Sequence, residues 1–206
     1  MTQGSPAKRV VGASGAPGRE VVRSFIAVAV PPEAAERLRA AQDRLRQAAP
    51  EVKWVRPDGF HITLKFLGGV DRERLGEVWQ SVTRAIAGVG PFTMRFRGVG
   101  AFPNVRRARV LWAGITDGAA ELTDLAGRVE GACAEHGFAR EERPFQAHMT
   151  LGRVRSPTPN RDLEAAVAEL ESEDLGEAGV DRVLLMKSQL TPQGAIYTVL
   201  EQWPLG

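Results

Sequence analysis

Apolar residues recur along this chain with two different periods, and the changes between them predict its elements. Residues 21–30 are an apolar-rich run of the kind that makes a buried strand. Pro31-Pro32 then opens a helix whose Ala35, Leu38, Ala41 and Leu45 form one stripe at helical spacing. Residues 52–55 and 61–67 read as strands separated by the turn sequence Arg56-Pro57-Asp58-Gly59. Asp71 caps a helix with Leu75, Val78, Val82 and Ile86 inward, and Phe92, Met94 and Phe96 alternate as a further strand. The second half repeats this order. A strand at 110–115 and a helix at 119–135 are followed by a segment around Phe138, a strand at 147–154 and a helix at 161–170. Residues 183–190 and 195–200 end the pattern as an antiparallel pair around Thr191-Pro192-Gln193-Gly194.

The repeated order predicts a duplicated, bilobal α+β fold. Two antiparallel β-sheets would flank a central groove, with helices outside and pseudo-twofold halves at about residues 21–105 and 106–206. Residues 21–206 are then one two-lobed domain. Residues 1–20, rich in glycine and carrying Lys8, Arg9 and Arg19, read as a flexible tail without an apolar run that could serve as a signal or anchor.

Two of the three histidines occupy the same place in this repeat. His61-Ile62-Thr63-Leu64 and His148-Met149-Thr150-Leu151 are matching frames on corresponding strands. With period-two alternation, Ile62, Leu64 and Phe66 face inward in the first frame, and Met149 and Leu151 in the second. Each His and Thr then project together from the other face, offering a proton-transfer group and a hydrogen-bond donor to one anionic oxygen. A single histidine on a half-buried strand is more often structural, but two in matched frames point to one device built twice. His136, before Gly137 at the end of a predicted helix, reads as structural.

Composition narrows the setting. The 206 residues are 43% hydrophobic and 25% charged, enough for one sizeable core, and the net charge of +2 gives global electrostatics little weight. The single cysteine, Cys133, rules out an internal disulfide or a cysteine-rich metal site and fits a reducing, cytoplasmic compartment. The frames also lack further ligands at metal spacing. Asp58 and Asp71 beside the first frame are accounted for as turn and cap, so no metal and no cofactor are expected.

In-line displacement at phosphorus needs a base for the attacking oxygen and an acid for the leaving one, on opposite sides. Two facing imidazoles meet that need, and Thr63 and Thr150 would hold the non-bridging oxygens. Candidate RNA contacts surround them. Lys65 shares the face of His61 by alternation; Arg106 and Arg107 lie in the basic stretch Asn104 to Arg109; Arg153 falls on the face opposite His148 unless a bulge turns it. Trp54, Phe102 and Trp112 are candidates to stack on a base, although Trp112 suits core packing better.

These residues resemble the two-histidine phosphoesterase superfamily and, within it, the bacterial and archaeal RNA 2′,3′-cyclic phosphodiesterases, also called 2′-5′ RNA ligases. The similarity runs from Arg23 to the C-terminus. It takes in Arg23-Ser24-Phe25-Ile26-Ala27-Val28, Trp54-Val55-Arg56-Pro57, both histidine frames with Lys65 to Gly68 and Gly152-Arg153, and Phe102-Pro103-Asn104. Arg109 to Trp112, Ser188, Leu190, Gly194 and Tyr197 complete it. The chain departs from the family pattern at Asp58-Gly59-Phe60, which replaces a commoner acidic-polar-leucine lead, and in a longer N-terminal tail.

The resemblance implies hydrolysis of RNA 2′,3′-cyclic phosphate ends, tRNA fragments among them, to 2′-phosphomonoesters. It also implies reversible 2′-5′ joining, with His61 as proton donor and His148 as proton acceptor. A monomer without membrane attachment is the expected form. The competing readings are a phosphodiesterase for a small cyclic nucleotide or ADP-ribose cyclic phosphate, and a non-catalytic module that binds RNA ends.

Overall fold

Each predicted stripe becomes one face of an element packed on a shared core. The computed structural model describes residues 20–206 apart from 157 and 193, so the expected tail and one residue of the final turn lie outside the described residues. The elements are β1 (Val21–Ala29), α1 (Ala35–Ala48), β2 (Lys53–Trp54), β3 (His61–Asp71), α2 (Arg72–Ala85), β4 (Phe92–Phe102) and β5 (Val110–Ile115). They continue with α3 (Ala119–Glu135), β6 (His148–Arg153), α4 (Arg161–Glu169), β7 (Asp174–Val180), β8 (Arg182–Thr191) and β9 (Gly194–Pro204).

The local reasons are those the sequence carries. Pro31 is extended, a 3-10 turn follows at Pro32–Ala34, and α1 then buries Ala35, Leu38, Ala41 and Leu45 along one stripe. Asn160 caps α4 by accepting a hydrogen bond from the Leu163 amide. Gly137, with φ +76°, ends α3 in the left-handed region that favours glycine. The strand β7 is absent from the sequence reading because its alternation is weak: Leu175, Ala178 and Val180 point inward, but Gly176 and Gly179 interrupt them.

Two antiparallel sheets form, with strand orders β3-β1-β8-β9 and β2-β6-β5-β4-β7. The histidine strands β3 and β6 each pair with the first strand of their own half, β1 and β5 respectively. The remaining strands do not respect the halves. β4 leaves the first half to join β5, and β8 and β9 return from the C-terminal end to extend β1. In each sheet the histidine strand is at or beside an edge, and β3 touches β6 where the sheets adjoin.

A buried amide ties this junction together. Gln42, on the inward face of α1, is fully buried, and its Nε2 donates to the Val55 carbonyl at 2.7 Å and the Leu151 carbonyl at 2.8 Å. The Val55 amide donates to the same Leu151 oxygen at 2.9 Å. The approach to the first histidine is thereby fastened to the backbone of the second frame. A buried polar group is costly unless paired, so replacing this amide with an isosteric apolar group strands a carbonyl. Gln42→Leu is expected to lower unfolding free energy by about 1–3 kcal/mol, measured by urea denaturation; an unchanged midpoint and slope would show the clamp contributes nothing.

Candidate active site

Both histidines are oriented by the backbone just ahead of them. His61 Nδ1 lies 2.7 Å from the Gly59 carbonyl, and His148 Nδ1 lies 2.7 Å from the Gln146 carbonyl. A carbonyl can only accept, so Nδ1 carries the hydrogen in each ring and Nε2 is the nitrogen left to exchange a proton. The first of these carbonyls is presented by the 3-10 turn Pro57–Gly59, which the Pro-Asp-Gly sequence favours. Thr63 shares the face of His61, and Thr150 that of His148, while Ile62, Leu64, Met149 and Leu151 are buried behind them.

The alternation then breaks at the same place in both strands. Ala27 is opposite Thr63 but Ile26 is opposite Lys65, so Leu64 is an extra residue in β3. Trp112 is opposite Thr150 but Leu111 is opposite Gly152, so Leu151 is the extra residue in β6. A bulge of this kind reverses the facing of everything beyond it. Two expectations are corrected by the first. Lys65 does not join His61: it is only 3% exposed and donates to the Glu130 carboxylate at 3.0 Å and the Ala139 carbonyl at 2.6 Å. Phe66, expected inward, is 51% exposed and lines the groove. The second bulge supplies what Arg153 required, and its side chain also lines the groove.

The groove measures about 700 Å³ and is lined by His61, Phe25, Tyr197, Arg153, Arg23 and Lys53 among others. The His61 ring is packed between Phe25 and the edge of Tyr197, each at 4.9 Å between centroids; the His148 ring meets Phe102 edge-on at 5.0 Å. Burial holds both imidazoles below their ordinary pKa, and the positive charge of Arg153 adds to the effect in each. Protonating His148 also disfavours protonation of His61, so the two rings are close enough to sense each other.

Several flanking candidates fall elsewhere. Arg106 and Arg107 belong to a 3-10 turn, Val105–Arg107, outside the groove lining; Arg106 pairs loosely with Glu164 at 3.7 Å, and the Arg107 amide donates to the Asn104 side chain. Trp112 lies over Gly100 and against Phe102, and Trp54 lies over Gly152, positions where a Cβ on either glycine would collide with the indole. His136 Nε2 is 2.7 Å from the Ser81 hydroxyl, a structural contact between α3 and α2. Among the described residues, no group of three or more His, Cys, Asp or Glu could hold a metal ion.

The comparisons with known proteins bear on this geometry. Residues 28–112 and 114–197 match the family model described as LigT like Phosphoesterase. The chain belongs to that family. Among its relatives is the RNA 2′,3′-cyclic phosphodiesterase of Methanothermobacter thermautotrophicus, 36% identical over 89% of this chain and 99% of that protein. The protein of the same name from Archaeoglobus fulgidus is 38% identical over 85% and 96%. Of solved structures, TT0787 of Thermus thermophilus superposes with a TM-score of 0.75 at 32% identity, covering 89% of this chain and 97% of that one. E. coli LigT complexed with 3′-AMP gives 0.70 at 27%, covering 90% and 99%. The LigT-like fold thus extends over nearly all of the described chain. No helix among the described residues is long and apolar enough to cross a membrane.

The corrected place of Lys65 separates stability from chemistry. Lys65→Met removes one partner of a buried ion pair, a change that costs roughly 3 kcal/mol, while leaving the groove untouched. Expected are a lower denaturation midpoint and phosphoesterase kcat/KM within about twofold of wild type under folding conditions; a selective rise in KM would return Lys65 to the phosphate.

Proposed function

We propose that this protein is a metal-independent RNA 2′,3′-cyclic phosphodiesterase in which His61 is the proton donor and His148 the proton acceptor. The observation that carries the reading is the matched pair of Nδ1–carbonyl bonds, which leaves two Nε2 atoms as the exchangeable positions on adjoining strands. Binding alone requires no such paired tautomers. The relatives' names supply the substrate, and the 3′-AMP complex of E. coli LigT supports a nucleotide in the groove.

In this scheme neutral His148 takes a proton from water through Nε2 as the water oxygen bonds to phosphorus. The bond from phosphorus to O3′ breaks opposite the entering oxygen, and protonated His61 delivers its Nε2 proton to O3′. A 2′-phosphomonoester and a free 3′-hydroxyl remain. Thr63 and Thr150 donate hydrogen bonds to the non-bridging oxygens, where negative charge gathers in the transition state. Arg153, beside both rings, neutralises the same charge. A ribose 5′-hydroxyl in place of water would give a 2′-5′ linkage by the same steps.

The deciding experiment incubates the protein with an RNA ending in a 2′,3′-cyclic phosphate and identifies the product. A 2′-phosphate is expected, with EDTA leaving the rate unchanged and His61→Ala or His148→Ala each lowering kcat by about 10²- to 10⁴-fold. Full activity in either variant, or a 3′-phosphate product, would refute the assignment.

Acidity offers a separate check. Both imidazoles are held below the usual value of about 6.5, so the bell-shaped kcat/KM profile of the free enzyme should centre below that pH. The charge of Arg153 disfavours each imidazolium. Arg153→Met therefore raises both pKa values, and the profile should move to higher pH whatever its height; a stationary or acid-shifted bell would mean the guanidinium does not act on the pair.

A further inference from the structure

The sheet face that carries His61 continues past the histidine as an apolar surface that nothing in the fold covers. Along β1, Val21, Arg23 and Phe25 share one face by alternation, and Phe25 is directly opposite Phe66 on β3 and Met186 on β8. Ser188 and Leu190 continue the same face of β8, with Tyr197 opposite Ser188 on β9. The described residues include five exposed large hydrophobics, and three of them, Val21 at 64%, Phe66 at 51% and Leu190 at 67%, fall on this face. Exposed apolar residues gathered at one end of a groove mark a surface meant to be covered.

A cation sits among them. Arg23 lines the groove and has no carboxylate partner among the described residues, whereas the neighbouring Arg56 is held by both oxygens of Asp58 at 3.2 and 2.8 Å. The groove thus has two guanidiniums free for anions, Arg153 beside the histidines and Arg23 farther out between Phe66 and Leu190. An apolar face of a second copy would strand Arg23 when it covered the patch, because an unpaired buried charge is strongly unfavourable. A ligand that alternates flat apolar groups with negative charges satisfies both features. A nucleic-acid strand does so.

We propose that Phe66, Leu190 and Arg23 form a subsite for the nucleotide immediately upstream of the one that bears the cyclic phosphate. The penultimate base packs on Phe66 and Leu190, and Arg23 pairs with the phosphodiester joining the two nucleotides. This rests on the phosphodiesterase reading and adds to it a minimum length: the unit recognised is a dinucleotide end. Val21 flanks the subsite, and no further exposed apolar residue extends this face of β1 beyond it among the described residues.

The test is steady-state turnover of three substrates: a mononucleoside 2′,3′-cyclic phosphate, a dinucleotide and a trinucleotide ending in the same group. Adding the second nucleotide should raise kcat/KM about tenfold or more, the scale of one stacked base, and adding the third should change it less than about twofold. Leu190→Ser and Arg23→Gln should each remove most of the gain while leaving mononucleotide turnover within about twofold, and Arg23→Gln should also flatten the salt dependence for the dinucleotide. Equal turnover of mononucleotide and dinucleotide, or variants that depress both alike, overturns the subsite and leaves the phosphodiesterase assignment standing. A solution dimer that Leu190→Ser dissociates also overturns it, giving the patch to a second copy. Turnover of none of the three refutes the phosphodiesterase reading itself, and the subsite with it.

Discussion

One extra residue in each histidine strand governs what the groove contains. Leu64 and Leu151 are each inserted directly after the threonine of their frame, so the alternation that holds from His to Thr is reversed beyond it. Without the insertion in β3, an ammonium would enter the groove and Phe66 would be buried. With it, Lys65 is spent on Glu130 behind the sheet and an aromatic ring lines the substrate side. The same insertion in β6 has the opposite chemical outcome, because Gly152 goes inward and Arg153 comes out. Matched backbones therefore yield unmatched surroundings, apolar beside His61 and cationic toward His148.

That asymmetry gives a physical basis on which two similar frames can take different roles. The ring of His61 is enclosed by Phe25 and Tyr197, while His148 meets one aromatic edge. Both are shifted toward the neutral form by burial, and His61 additionally feels His148. A group that must donate a proton needs the arriving phosphate to favour its charged form, so substrate binding and protonation of the acid are coupled.

Most elements were legible because their signals are local. The stripe in α1, the turn before His61 and the cap of α4 each follow from a few neighbouring residues, and the helix at 119–135 agrees with the observed bounds of α3. The histidine and threonine faces were legible for the same reason, since they lie ahead of the bulges. Lys65 and Phe66 were misread because a bulge leaves no mark in composition: Leu64-Lys65-Phe66 reads as unbroken alternation until the partner strand is known. Gln42 was passed over because one glutamine within a helical stripe has no distinguishing signal until both carbonyls it meets are in place. The weak strand β7 needed its partner β4 to exist.

The exchange of strands between the sheets has a consequence for how the chain reaches this state. Of the strands, β1 emerges first from the ribosome, yet one of its two partners, β8, begins at Arg182, and the sheet is completed only by β9 after it. The other sheet likewise waits for β7 before its order is complete. Pairings this distant in sequence make closure late and slow relative to helix formation. Until β8 has been synthesised, the nascent chain carries β1 and β3 as an incomplete sheet with an open edge, the form most exposed to aggregation. The catalytic groove is thus among the last features to assemble, and a ribosome that stalls before β8 releases a chain with both histidine frames but no closed first sheet.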